Sequence, residues 1–384
     1  MKTLSGFLLA IPLLLRVSAW AVEPHDITIW GFQFIPTLTL AESYDDNFRE
    51  LDENERSSWV TRIAPGFELI AEDRNSAYRL TYAGNRDIYH AESDASHTDT
   101  RLSLDSIMEF TDRHRLELEA FYRKAEEPGS TAVIGENDKY HLRGLGGAYR
   151  YGAETARNQL EFGLRHEELR YDNRDDINAG EERDSDALIV TWLHRIGGGT
   201  RALLEYRHTE YDYVLASSPL NSSNDALLLG ASWEATARTT GKLLVGYEQK
   251  DFDDPGRDDL DSPMWEAGID WEPRTYSKFS LTARQAFDEG DDGSDAIKTT
   301  SATLAWRHEW SGRLVSDLLF GLARHVYEGQ QRDDDFSQAG IGLTYSLRRW
   351  LDVSLGYRYR NNDSNAAGES YQRNVYKVSV TGSL

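Results

Sequence analysis

"RLSLDSIMEFTDRHRLELEAFYR", residues 101–123, decides how the chain is to be read. Leu102, Leu104, Met108 and Phe110 alternate with Arg101, Asp105 and Glu109; Leu116, Leu118, Ala120 and Tyr122 then alternate with Arg115, Glu117 and Glu119. A period of two sends successive side chains to opposite faces of a strand, so each half has one apolar and one charged face. The residues "TDRH" at 111–114 leave room only for a tight reversal, which makes the two halves an antiparallel hairpin.

The same alternation recurs along the chain. Trp59, Ile63, Phe67 and Leu69 oppose Arg62 and Glu68; Tyr78, Leu80 and Tyr82 oppose Arg79 and Thr81; Leu160, Phe162 and Leu164 oppose Glu161 and Arg165. Later segments carry Leu188, Val190 and Trp192; Leu227, Leu229 and Trp233; Leu243, Val245 and Tyr247; Leu314, Leu318, Phe320 and Leu322; Val353, Leu355, Tyr357 and Tyr359; and finally Tyr376, Val378, Val380 and Leu384. The pattern gives 18 segments of about ten residues or more, with no competing helical stripe.

Composition alone points elsewhere. A hydrophobic share of 39%, a net charge of −23 and a mean hydropathy of −0.61 suit a polar soluble chain or a partly disordered one. Ten Trp, 20 Tyr and 13 Phe are too many for disorder. The acidity excludes nucleic acid as a partner, and zero cysteine excludes disulfides, thiolate metal sites and a cysteine nucleophile.

Connections between the segments alternate short with long. Short ones include "TDRH", "RIGGGT" at 195–200, "EWSGR" at 309–313 and "LRRW" at 347–350. Long ones span 45–57, 90–100, 124–139, 170–186, 212–225, 250–262, 288–296, 328–337 and 360–373. Those nine hold 39 acidic and 12 basic residues, so the acidity is concentrated at one end of the strands. Strands with an apolar outside and a charged inside, an even count, and short turns opposite long loops are what an outer-membrane barrel requires. Lipid offers no water to a free sheet edge, so such a sheet must close. The expected fold is therefore all-β: a closed antiparallel transmembrane β-barrel of about 18 strands, with short periplasmic turns and long acidic extracellular loops.

Lys2, the apolar run Leu4–Leu15 and the small-x-small stretch Ala19-Trp20-Ala21 predict a signal peptide over residues 1–21 and export to a Gram-negative outer membrane. Residues 22–35 are expected to be a periplasmic N-terminal segment and 36–384 the barrel. Outer-membrane lipid and lipopolysaccharide are the surroundings this predicts.

Period two places Arg62, Arg79, Arg101, Arg115, Arg143, Arg165, Arg207, Arg284, Arg358, Glu68, Glu117 and Glu119 in the lumen. They can be paired, hydrated wall residues, or a track of guanidinium forks for the hydroxyls and carboxylates of a passing saccharide. The acidic loop residues Asp253, Asp254, Asp258, Asp259, Asp288, Asp291, Asp292, Asp333, Asp334 and Asp335 read first as solvated charge, second as weak, non-specific ligands for calcium or magnesium. "FDEGDDGSDAI", 287–297, fails as a calcium loop, with Gly290 and Thr299 where the template needs ligands. No cofactor or metal site is expected. The histidines stand singly at strand ends and no nucleophile motif is present, so an enzyme is not expected.

The stretches "PTLTLAESYDDNF" at 36–48, "WVTRIAPGFEL" at 59–69 and "YRLTYAGNRDIY" at 78–89 resemble the β-barrel porin 2 family of bacterial outer-membrane proteins. The resemblance implies a porin-like barrel and a conduit for secreted exopolysaccharide, with periplasmic export components as partners and no catalytic residues. A general diffusion porin and a surface adhesin barrel are the rival expectations. Topology is directly testable: Asp292→Cys should be labelled by an impermeant maleimide on intact cells and Gly198→Cys should be protected, the reverse pattern overturning the assignment.

Overall fold

The computed structural model describes residues 27–29, 31–127, 137–172, 178–236, 238–290 and 293–383. Its strands in chain order are β1 (Ile27–Ile29), β2 (Phe32–Asp45), β3 (Ser58–Glu72), β4 (Ser76–Tyr89), β5 (His97–Thr111), β6 (His114–Glu127) and β7 (Asp138–Tyr151). They continue as β8 (Asn158–Tyr171), β9 (Arg183–Gly197), β10 (Thr200–Tyr213), β11 (Ser222–Thr236), β12 (Thr239–Phe252) and β13 (Leu260–Arg274). The last are β14 (Ser277–Glu289), β15 (Ala296–Ser311), β16 (Leu314–Glu328), β17 (Arg332–Arg348), β18 (Leu351–Ser364) and β19 (Tyr371–Ser383).

From β2 to β19 each strand pairs antiparallel with the next, and β19 returns to β2 over Val375↔Asp45 to Ser383↔Thr37. Eighteen strands thus close on themselves. The three-residue β1 lies outside that ring and pairs with β2 from Ile27↔Phe34 to Ile29↔Phe32, just beyond where β19 ends. The first strand of the ring, β2, starts at Phe32 and meets β19 from Thr37 onward.

The inside and outside of the ring follow from the pleat. Leu227, Leu229, Leu243 and Val245 are all more than two-fifths exposed, whereas Leu228 and Leu244 between them are fully buried. The first set is the lipid face. Short turns form one rim, and register shifts mark them at Glu109/Thr111, Trp271/Arg274, Glu309/Ser311 and Ser346/Arg348. Gly198 makes the reversal between β9 and β10 with φ +53, a left-handed conformation that glycine adopts without strain. This rim carries outward-facing aromatic groups, including stacked Trp271, Phe279 and Trp306, as an interfacial girdle should.

The strands of the ring run to 13–17 residues, within the ten or more expected. A strand of about 14 residues tilted ~40° rises ~35 Å, taller than the ~25 Å apolar band of such barrels. The excess projects on the long-loop side, where the ladder continues through acidic residues that need no apolar alternation. Asp333, Asp334 and Asp335 therefore belong to β17 and not to a loop, since only 329–331 separate β16 from β17. Asp288 likewise stands in β14, while Asp291 and Asp292 lie outside the described residues.

Two segments turn into the mouth. The connection after β2 seats Phe48, fully buried, against Tyr89 at 5.0 Å, with Val60 and Ala95 beside it. The outer end of β14 leaves β13: their pairing stops at Trp265↔Gln285, although β14 stays on β15 to Glu289↔Ala296. Beyond that point the Phe287 N–H donates to Glu248 Oε1 of β12 (2.8 Å), and Glu289 accepts from Lys250 Nζ and Tyr213 OH.

Leu229 sits midway along β11 on the lipid face. Leu229→Arg should cost about 2–4 kcal/mol of folding free energy. Urea titration of refolding into lipid vesicles measures that loss, and an unchanged midpoint would contradict the inside–outside assignment.

Candidate substrate path through the lumen

Facing direction passes from strand to strand through the register. Arg62 lies opposite Asp87, Arg79 opposite Asp105, Asp105 opposite Glu119 and Arg101 opposite Arg123, all on the face away from exposed Leu102, Leu104 and Leu118. By the same chain of partners Glu68, Arg115, Glu117, Arg165, Arg207, Arg284 and Arg358 also face inward. Arg143 does not: it is the partner of lipid-facing Tyr122 and sits two residues from Leu145, which is 62% exposed. Its guanidinium bonds Glu168 on the outside of β8, so it belongs to the outer surface near the long-loop rim.

Most lumenal charges are spent on each other. Arg62 holds Asp87 through Nε (2.6 Å) and Nη2 (2.5 Å). Arg165 bridges Glu119 (2.7 Å) and Glu167 (2.6 Å), and Arg115 meets Glu117 at 2.8 Å. The ring of Phe121 lies between the guanidinium groups of Arg101 and Arg165, at 5.7 and 5.9 Å. That ring crosses Gly144, where a Cβ would come within 2.4 Å of it. Arg284 bonds Asp288 (2.6 Å) and Arg307 bonds Asp317 (3.2 Å).

The densest network is on β9, β10, β12 and β13. Arg207 grips Glu266 with both nitrogens (2.6 and 2.9 Å) and Glu205 at 2.6 Å. Glu205 is 3% exposed and also accepts from Thr191 and lies 3.3 Å from Lys242 Nζ. An inner apolar cluster of Leu203, Ala226, Leu228, Leu244, Met264 and Ala286 lies on the same wall, with Leu228 directly across the ladder from Glu205. Such charges are stable there only as a complete set, because an unpaired buried ion costs more than the pair gains.

Acidic residues of the long loops satisfy local donors. Asp254 accepts from the Gly256 N–H and Asp259 from the Phe252 N–H, while Asp253 and Asp258 lie in the same connection. Asp333 pairs with Arg324 (2.9 Å) on the outside, Asp334 with Arg332 (2.7 Å) on the inside, and Asp335 faces out. Among the described residues no group of three or more His, Asp or Glu is arranged to hold a metal ion.

Several inward cations stand outside the expected list: Arg150 on Glu161, Arg183 at Tyr213, Lys242, Lys250, Arg360, Arg373 and Lys377. Lys377 was readable, since it stands between lipid-facing Tyr376 and Val378. Arg360 and Arg373 were hidden because 360–373 reads as one loop, whereas both lie on strands.

A charged inner wall inside a closed 18-strand ring is the arrangement of a channel protein. The family model described as Putative beta-barrel porin 2 matches residues 21–384. The chain belongs to this family. No curated protein matches the sequence. Among solved structures, a BenF-like porin from Pseudomonas fluorescens Pf-5 is similar, with a TM-score of 0.51 at 10% identity over 93% of this chain and 100% of that one. OccK2 (OpdF) of Pseudomonas aeruginosa gives 0.49 at 12% identity over 92% and 97%. The FrpB iron transporter of Neisseria meningitidis gives 0.45 at 9% over 86% of this chain, which spans 62% of FrpB. At these identities the likeness is one of fold. This member of the porin family is an outer-membrane barrel of the porin type.

Removing Arg207 leaves Glu266 without its partner and Glu205 with only Thr191 and Lys242. Arg207→Ala should destabilise the barrel by about 3–5 kcal/mol, read as a lower urea midpoint and an earlier loss of the folded band in unheated gels. Arg207→Ala together with Glu266→Gln, which leaves Glu205 with Lys242 and Thr191, should recover much of that loss, and no recovery would show that the network is not the cause.

Proposed function

We propose that this barrel is a channel through which an exopolysaccharide leaves the cell, guided by the lumenal arginines. The observation that supports the reading is the inner wall itself. Guanidinium groups from β3, β4, β5, β6, β8, β10, β14 and β18 face one lumen, and planar forks of donors suit the hydroxyls and carboxylates of a sugar chain better than point charges do. In this reading residues 1–21 are the cleaved export signal, periplasmic export components deliver polymer to the short-turn rim, and the long-loop rim emerges among lipopolysaccharide. The acidic rim binds calcium or magnesium only weakly, and no cofactor is used.

A second reading, a diffusion porin for small hydrophilic solutes, is favoured by the mouth. Phe48 and its connection, together with the bent end of β14, occupy part of the cross-section a polymer would use. Deleting the gene separates the two. Export predicts polymer lost from the surface or held in the periplasm, whereas unchanged surface polysaccharide with slowed uptake of a small solute would favour the porin.

A further inference from the structure

Charge is not balanced evenly around the lumen. On the β18–β19–β2–β3 wall, five inward cations are gathered: Arg358 and Arg360 of β18, Arg373 and Lys377 of β19, and Arg62 of β3. Three are spent. Arg373 binds Asp45 (2.6 Å) and Glu50 (2.7 Å), tying down the connection that carries Phe48. Arg360 lies 3.6 Å from the same Glu50, and Arg62 is committed to Asp87.

The side chains of Arg358 and Lys377 have neither a hydrogen bond nor an ion pair among the described residues. The charged groups acting on Arg358 are Arg360, Arg373 and Arg62, all cations. Those acting on Lys377 are Arg62, Arg358 and Asp87, and the Asp87 carboxylate is already held by Arg62. Register makes the pair close neighbours: Gly356 faces Lys377 and Arg358 faces Val375, a diagonal step of about 7–8 Å between backbones on one face. The uncharged inward groups around them are Val375 and Ser379 of β19, Ala41 and Ser43 of β2, and Ser354 and Gly356 of β18. Two like charges facing a lumen without a counter-ion raise each other's energy, and an anion between them removes that cost.

We propose that Arg358 and Lys377 form an anion-binding station beneath the tethered first long connection, and that the transported chain carries carboxylates, as a uronic-acid polymer does. The guanidinium gives a carboxylate a two-pronged contact and the lysine a second charge, so an acidic sugar is retained where a neutral one passes. Substrate class rests on the channel reading above, but the station itself can be measured without transport.

The test is calorimetric titration of the detergent-solubilised barrel with hexagalacturonate and, in parallel, with maltohexaose. Hexagalacturonate should bind and maltohexaose should not. Arg358→Gln with Lys377→Gln should weaken binding of the acidic oligomer by about tenfold or more, the effect of losing charged hydrogen bonds, while Arg324→Gln, on the outer face, leaves it unchanged. Folding of each variant is checked by its heat-modifiable gel shift. Equal affinity for both oligomers, or undiminished binding by the double variant, would overturn the station. Planar-bilayer currents then address the channel reading separately: binding without conductance sinks transport and leaves the station standing, and conductance without binding does the converse.

Discussion

A strand in lipid has nowhere to place its backbone donors and acceptors except on another strand, and the whole molecule follows from that constraint. It forces the last strand back onto the first, through Val375↔Asp45 and the pairs below it. With every neighbour antiparallel the closed ring has an even number of crossings, and every strand is divided into a lipid face and a lumenal face. Leu228 and Leu229, one residue apart, are fully buried and 60% exposed for this reason alone. Because closure holds the wall rigid, charges on the inner face can be placed against fixed partners, as Arg207 is against Glu205 and Glu266.

The same ring accounts for the two elements in its mouth. A connection can fold inward only where the wall supplies something to hold it. Arg373 and Tyr89 do so for the first long connection, and Glu248, Lys250 and Tyr213 for the end of β14. Each anchor uses a charge that would otherwise face water. What is left over is therefore informative, and Arg358 and Lys377 are left over.

Much of this was legible in the sequence, and the failures have physical causes. Strand type, closure and the facing of Arg62, Arg79, Arg101, Arg115, Arg165, Arg207, Arg284 and Arg358 follow from the pleat, and each lies where alternation puts it. Arg143 was misread because β7 carries Gly144, Gly146 and Gly147, which leave little side-chain pattern to count from. The acidic run Asp333–Asp335 was misread because strand ends above the lipid have no apolar face to display, so a ladder there looks like a loop. The partners of each charge were not legible at all, since pairing depends on register between strands far apart in the chain, as with Arg373 and Asp45.

The departure of β14 from β13 has a dynamic side. From Leu260 to Met264 on one strand and from Ala286 to Glu289 on the other, the facing ladder bonds of the ring are missing, and a carboxylate from β12 stands in for one of them at Phe287. A barrel opens least where both edges of every strand are bonded and most where one is not. This seam is where amide protons would exchange with solvent soonest, and where the wall would first yield to a chain pushing outward from within.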